Sequence, residues 1–201
     1  ISDEQHAPAQ PADADNITVT ARLRPAFAPV ASATLRYRVM FGSEVSVPFL
    51  DDGAQGDGAA GDGVYGASIP ASASTPGQMV RWYITATDTT GTNVSRYPSF
   101  TDTNNSPAYL GTVIRNPALT NALPVFQWFV LNTAATDTTA GTRCSVYWNG
   151  EFYDNVFCRV RGASAPNFAK KPYKFDFNTG DHFRMIPGQP RVSELNLNST
   201  Y

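Results

Sequence analysis

Two clusters of charged side chains have a spacing that could do chemistry. The first is DDGAQGDGAAGDGVY, residues 51–65. Asp52, Asp57 and Asp62 recur every five residues with glycine between them, and Asp51 adds a fourth carboxylate. Glycine lets the backbone turn tightly, so several oxygens can converge on one hard cation. Calcium takes about six to eight oxygen ligands at about 2.3–2.6 Å. The same residues also suit a solvated hairpin loop in which Asp and Gly simply supply turn geometry. No glutamate closes the loop at the twelfth position of an EF-hand, and both readings stay open.

The second cluster is RVRGASAPNFAKKPYKFDF, residues 159–177. Arg159 and Arg161 occupy alternate positions of a predicted strand and so share a face. Gly162 permits a sharp turn. The chain's only lysines, Lys170, Lys171 and Lys174, follow a small-residue loop. Two antiparallel strands with Arg and Lys on one face could hold a polyphosphate, Arg bidentately and Lys as a point charge. The alternative is an exposed basic face neutralised by Asp176 and Asp181. The residues do not decide between Lys171 and Lys174 as the phosphate contact.

Other chemistry is poorly served. The two cysteines, Cys144 and Cys158, lie 14 positions apart, too few ligands for a structural zinc site with only His6 and His182 to help. In an oxidising compartment the pair is expected to form a disulfide. The hydrolase motifs G-x-S-x-G and H-E-x-x-H are missing from the sequence. Trp82, Trp128 and Trp148 would serve a carbohydrate-stacking platform, or the core.

The elements that must position these groups are strands. Short stretches of alternating polar and apolar residues begin near Ile17, Thr34, Glu44, Gly63, Gln78 and Ser95, separated by Gly- and Pro-rich turns. That pattern predicts an immunoglobulin- or fibronectin-like sandwich over residues 16–112. Residues 1–15, rich in Ala, Pro and acid, read as a flexible leader. Residues 113–201 form a second, β-rich unit that looks incomplete. Within it VFQWFVL is a further strand, and Asn149-Gly150 is a hairpin turn because both residues tolerate positive φ. Expected lysine partners and strands aside, no helix long enough to complete a mixed core is apparent.

Composition agrees. Hydrophobic residues make up 42% of the 201, enough for a core, whereas charged residues are only 16%. Residues 1–112 carry 6 Lys and Arg against 11 Asp and Glu; residues 113–201 carry 9 against 6. The net charge of −2 gives no global reason to expect nucleic acid as partner. No apolar run approaches the ~20 residues of a membrane span.

The basic ribbon, followed by VSELNLNSTY, resembles the amino-terminal motif of the CotH family, atypical protein kinases of the spore-coat protein H type. The residues that carry the resemblance are Arg159, Arg161 and Gly162, then Ser164, Phe168, Lys170, Lys171, Tyr173 and Lys174, then Glu194 to Asn198. The family usually has a second serine where Ala165 stands. The preceding DDG…GDGVY loop and RWYITATDTTG resemble the immunoglobulin-like domains found before CotH-type regions in large secreted bacterial proteins. The resemblance implies a mainly β chain: an immunoglobulin-like sandwich followed by a partial, β-rich CotH-like kinase N-lobe. It implies a secreted or cell-surface setting. The parent protein would be an ATP- and magnesium-dependent protein kinase, with Arg159, Arg161, Lys171 and Lys174 as candidate phosphate contacts. Its catalytic acids would lie beyond Tyr201, so this chain alone is expected to be inactive. The competing expectation is an extracellular structural or adhesive module whose partners are other extracellular proteins or copies of itself.

Overall fold

The computed structural model describes residues 1–162 and 169–199. The described chain is mainly β and divides into two units. Unit 1 comprises Ile1–Ser99 and Tyr109–Asn121; unit 2 takes Phe100–Ala108 and the chain from Ala122 onward. No helix among the described residues is long and apolar enough to cross a membrane.

Unit 1 is built from β1 (Ser2–Ala7), β2 (Ile17–Arg22), β3 (Val30–Val39), β4 (Val45–Pro48), β5 (Val64–Ile69), β6 (Met79–Asp88), β7 (Val94–Tyr97) and β8 (Leu110–Val113). One sheet runs β1-β2-β5; the other runs β4-β3-β6-β7, with β8 also paired to β6. Alternation buries one side of β2 and β3, whereas β6 opens with four buried residues, Met79 to Trp82. In β2, Ile17, Val19 and Ala21 are buried while Thr18, Thr20 and Arg22 are not. Leu35, Val80, Trp82 and Ile84, all at 0% exposure, join them to form one core. Packing of two inner faces in this way is the source of sandwich stability.

Two expectations for unit 1 need correction. Residues 1–15 are not a flexible leader throughout, because β1 pairs antiparallel with β2, Gln5 opposite Thr20 and His6 opposite Val19. Glu4 accepts the Trp82 indole N–H at 3.0 Å, and His6 meets the same indole edge-on at 5.1 Å. Further along, the Pro11 carbonyl accepts the Arg115 N–H at 2.8 Å. The residues that β1 turns toward the indole are polar, so hydropathy carries no strand signal there. The boundary at 112/113 also fails. It cuts β8, in which Thr112 and Val113 pair with Val80 and Met79. Residues 100–108 go with unit 2, where Asn155 donates its amide N–H groups to the carbonyls of Thr103 (2.9 Å) and Ser106 (2.8 Å).

Unit 2 contains β9 (Gln127–Val130), the single turn α1 (Thr133–Thr136), β10 (Thr142–Trp148), β11 (Glu151–Val160), β12 (Tyr173–Asp176) and β13 (Glu194–Leu197). The strands form one antiparallel sheet in the order β13-β12-β11-β10-β9. The β10–β11 turn is Asn149-Gly150, with φ of 51° and 88°, the geometry of a type I′ hairpin. A bulge follows between Cys144 and Val146, where Asn155 takes a φ of 55°. One sheet face carries an aromatic core in which Phe175 meets Phe126 and Trp128 edge-on, both at 5.2 Å.

The expected disulfide does not form: Cys144 and Cys158 are both free and buried. Cys144 stands opposite Val156, and Cys158 opposite Thr142. The thiols therefore sit at diagonal positions on neighbouring strands. The two sulfurs come within hydrogen-bond reach without bonding covalently, and burial, then the hydrogen bond with Cys158, pushes the Cys144 thiol up. The Cys158 thiol instead donates to the Thr142 carbonyl at 3.4 Å.

Candidate functional site: a cationic ribbon in unit 2

The ribbon's register sorts its cations. Arg159 is the direct partner of Lys174, and Val160 of Tyr173. Directly opposed residues share a sheet face, so Arg159 and Lys174 lie on one side. Arg161 continues the alternation, its N–H bonded to the Pro172 carbonyl at 2.9 Å. Lys174 reaches Asp176 at 2.9 Å and Glu194 at 2.7 Å. Hydrogen bonds to Glu194 and Asp176 push the Lys174 ammonium above its ordinary value. Asn196, opposite Lys174, holds a buried side-chain oxygen that accepts no hydrogen bond among the described residues. The Arg161 guanidinium donates to Asn198 at 2.9 Å. Arg161, Gly162, Pro172, Asn198 and Ser199 line an open cavity of about 420 Å³.

Lys171 belongs to a different group. Its ammonium donates to Asp137 at 2.6 Å, and the Tyr173 hydroxyl donates to the other oxygen of the same carboxylate at 2.7 Å. Asp137 caps the C-terminal end of α1. Hydrogen bonds from Lys171 and Tyr173 hold its carboxyl below the usual range. Burial, then Asp137, pushes the Tyr173 hydroxyl up to about 12. The two lysines are thus not brought together, because Lys171 follows the parity of Tyr173 and Lys174 the opposite one.

Asp176 meets Lys174 as expected, but Asp181 does not partner a lysine. Burial pushes Asp181 up to about 6, opposed by the charge of Arg191. Near it the Tyr153 hydroxyl donates to Glu151 (2.5 Å) and accepts from Arg191 (3.2 Å), and Arg191 pairs with Glu151 at 2.9 Å. Sequence reasoning missed Asp137 and Glu194 as partners, since both come from segments remote from the ribbon. Ser164, Ala165 and Phe168 of the motif lie outside the described residues.

In unit 1 the aspartate loop gives most of its carboxylate oxygens to its own backbone, although the buried Asp57 Oδ1 accepts no hydrogen bond among the described residues. Asp51 accepts from the N–H groups of Gly61 (2.7 Å) and Gly63 (2.9 Å), and Asp57 from those of Asp52 (3.0 Å) and Gly53 (3.2 Å). Asp62 accepts from Ala59 (3.2 Å) and Val64 (2.8 Å), and Asp52 from Ala54 (3.0 Å). Among the described residues no three carboxylate, imidazole or thiol side chains gather into a metal-binding group. Backbone N–H groups already stabilise these charges. Thermal melting in excess calcium and in excess chelator is therefore expected to give equal midpoints. A higher midpoint with calcium would show that the carboxylates turn onto a cation.

The tryptophans divide between the units. Trp82 is wholly buried in the sandwich, while Trp128 and Trp148 pack against the unit 2 core and Trp148 donates to the Met185 carbonyl at 2.8 Å. They do not form the stacking platform that their number allowed.

Residues 6–99 match a family model described as the conditioned medium factor 2nd Ig-like domain. Unit 1 is an immunoglobulin-like domain. The match spans β2 to β7 of the Ig-like domain and ends before β8 and before the basic ribbon. No curated protein matches the chain.

Proposed function

We propose that this chain is part of a secreted bacterial protein of the CotH type, in which the Ig-like domain precedes the phosphate-positioning part of an ATP-dependent protein kinase. The observation that carries the reading is the grouping of Arg159, Arg161 and Lys174 on one sheet face, with Arg161 at the mouth of an open cavity. Arginine forks suit phosphate oxygens, and a lysine ion-paired to a carboxylate on an antiparallel sheet is a recurring part of kinase sites. Lys174, held by Asp176 and Glu194, fits that part; Lys171, committed to Asp137 with Tyr173, does not. ATP supplies the phosphoryl group when bound, and magnesium neutralises its charge. The residues that would face its phosphates are Arg161 and Lys174, with Arg159 on the same sheet face. Likeness to a domain of a factor named for conditioned medium supports an extracellular setting.

The test is titration of this chain with labelled ATP and magnesium. Saturable binding is expected, weakened about tenfold or more by Arg161→Ala with Lys174→Ala and little changed by Lys171→Ala. Binding indifferent to the first pair, or no saturable binding, would overturn the reading. The ribbon would then be scaffold, and the chain an extracellular structural or adhesive module. The ion pairing of Lys171 and Lys174 with local acids is the observation on that side.

A further inference from the structure

The turn that closes the unit 2 hairpin carries chemistry of its own. Asn149 and Gly150 are its two residues, with φ of 51° and 88°. Both are exposed, and the pair that closes the turn is Trp148 with Glu151. Among the described residues neither the Asn149 carboxamide nor the Gly150 N–H makes a hydrogen bond. An amide carbon and the backbone nitrogen that follows it are therefore both open to solvent and uncommitted.

Other asparagines lack this combination. Asn105 donates to Asp102 at 2.8 Å, Asn155 to the carbonyls of Thr103 and Ser106, and Asn198 accepts from Arg161 at 2.9 Å. Asn178 is buried and donates to the Asp154 carbonyl at 2.6 Å. Only Asn149 is followed by glycine. Without a Cβ, the Gly150 nitrogen can approach a neighbouring group that a larger residue would shield. Attack requires Asn149 to rotate out of its left-handed well, which is a local motion because neither turn residue is packed or bonded.

We propose that Asn149-Gly150 is a self-modifying site that converts to a mixture of aspartate and isoaspartate, and that the isoaspartate form unlocks the hairpin tip. The Gly150 nitrogen bonds to Asn149 Cγ, the Cγ–Nδ2 bond breaks, and the proton of the Gly150 N–H leaves with Nδ2 as ammonia. Water then adds to one carbonyl of the cyclic imide and opens a C–N bond. Opening at Cγ gives aspartate. Opening at the main-chain carbonyl gives isoaspartate, in which the backbone runs through Cγ. The added backbone carbon is incompatible with a two-residue type I′ turn, so Trp148 and Glu151 lose their register. Both hold down the segment that brings the buried Phe183 into the aromatic core. The Trp148 indole donates to the Met185 carbonyl at 2.8 Å, and Glu151 pairs with Arg191 at 2.9 Å. Modification at the tip therefore loosens the clasp on that segment.

The test holds the full chain in mildly alkaline buffer and follows released ammonia and peptide masses over time. Amide-to-acid conversion is expected at Asn149 about tenfold or more faster than at Asn105 or Asn198, which precede serine, because only glycine leaves the attacking nitrogen unshielded. Asn149→Gly keeps a turn that accepts positive φ and has no side-chain amide, so its ammonia release is expected to fall about tenfold or more. The isoaspartate form, separated by chromatography, is expected to exchange the amide hydrogens of the β10–β11 hairpin about tenfold or more faster than the parent. Asn149→Asp carries the new charge without the added carbon and tolerates the left-handed backbone, so it is expected to exchange as the parent does. The proposal is overturned if Asn149 converts no faster than Asn105, or if the isoaspartate form exchanges its hairpin amides at the parent's rate.

Discussion

Gly141→Ala is expected to lower the melting temperature of unit 2 by at least about 10 °C, from a cost of about 3 kcal/mol. Gly141 has a φ of +72°. A Cβ there would lie 2.6 Å from the Cys158 carbonyl oxygen, 2.7 Å from Phe157 Cζ and 2.8 Å from Arg159 Cβ. The left-handed backbone alone costs a side chain about 1–2 kcal/mol. Overpacking against backbone adds about 1–3 kcal/mol, because neither the carbonyl nor the Arg159 Cβ can swing aside. Gly180 is the control. Its φ is +83°, but a Cβ would meet nothing within 4 Å, so Gly180→Ala is expected to cost only about 1 kcal/mol. Denaturant unfolding of both variants checks the pair. Equal losses would show that the close approach of residue 141 to β11 is not real. Because Arg159 is one of the crowded atoms' owners, the same substitution should also disturb the cationic ribbon.

Glu4→Gln is expected to stabilise unit 1 above pH 7, by an amount on the order of 2 kcal/mol. Burial pushes the Glu4 carboxyl up to about 7 from 4.5, and the Trp82 N–H partly offsets this. Between those two values the unfolded chain has lost the proton while the folded chain still holds it. Stability is therefore fully present below about pH 4.5, falls as pH rises to 7, and stays reduced above. Glutamine keeps an acceptor for the indole N–H of Trp82 and cannot ionise. Unfolding free energies of parent and variant from pH 4 to 8 should converge at the acid end and separate toward pH 8. Parallel curves across the range would reject the assignment.

Much of the strand framework is legible from residue order. Ile17, Val19 and Ala21 against Thr18, Thr20 and Arg22 announce β2, and Asn149-Gly150 announces the β10–β11 hairpin. β1 escapes the same test because Glu4 and His6 face the core side, where hydropathy expects apolar groups. β13 escapes because ELNL is too short to display a period. The disulfide expectation fails for a related reason. Sequence separation says that Cys144 and Cys158 are near, but a bulge in the facing strand sets the register that makes them diagonal.

The candidate sites divide in the same way. The positions of the cations and of the aspartate loop are visible in the sequence; their partners are not. Asp137 and Glu194 reach Lys171 and Lys174 from segments 34 and 20 residues away.

Residue order alone therefore determined the β character, the turn at Asn149-Gly150 and the identity of the basic ribbon, because period-two burial and positive-φ turns are local properties. Tertiary structure decided which lysine shares a face with Arg159, which acids reach Lys171 and Lys174, and that the two thiols stay free. Those outcomes depend on strand register and on pairing between distant segments, and a shift of one residue sends every side chain of a strand to the opposite face.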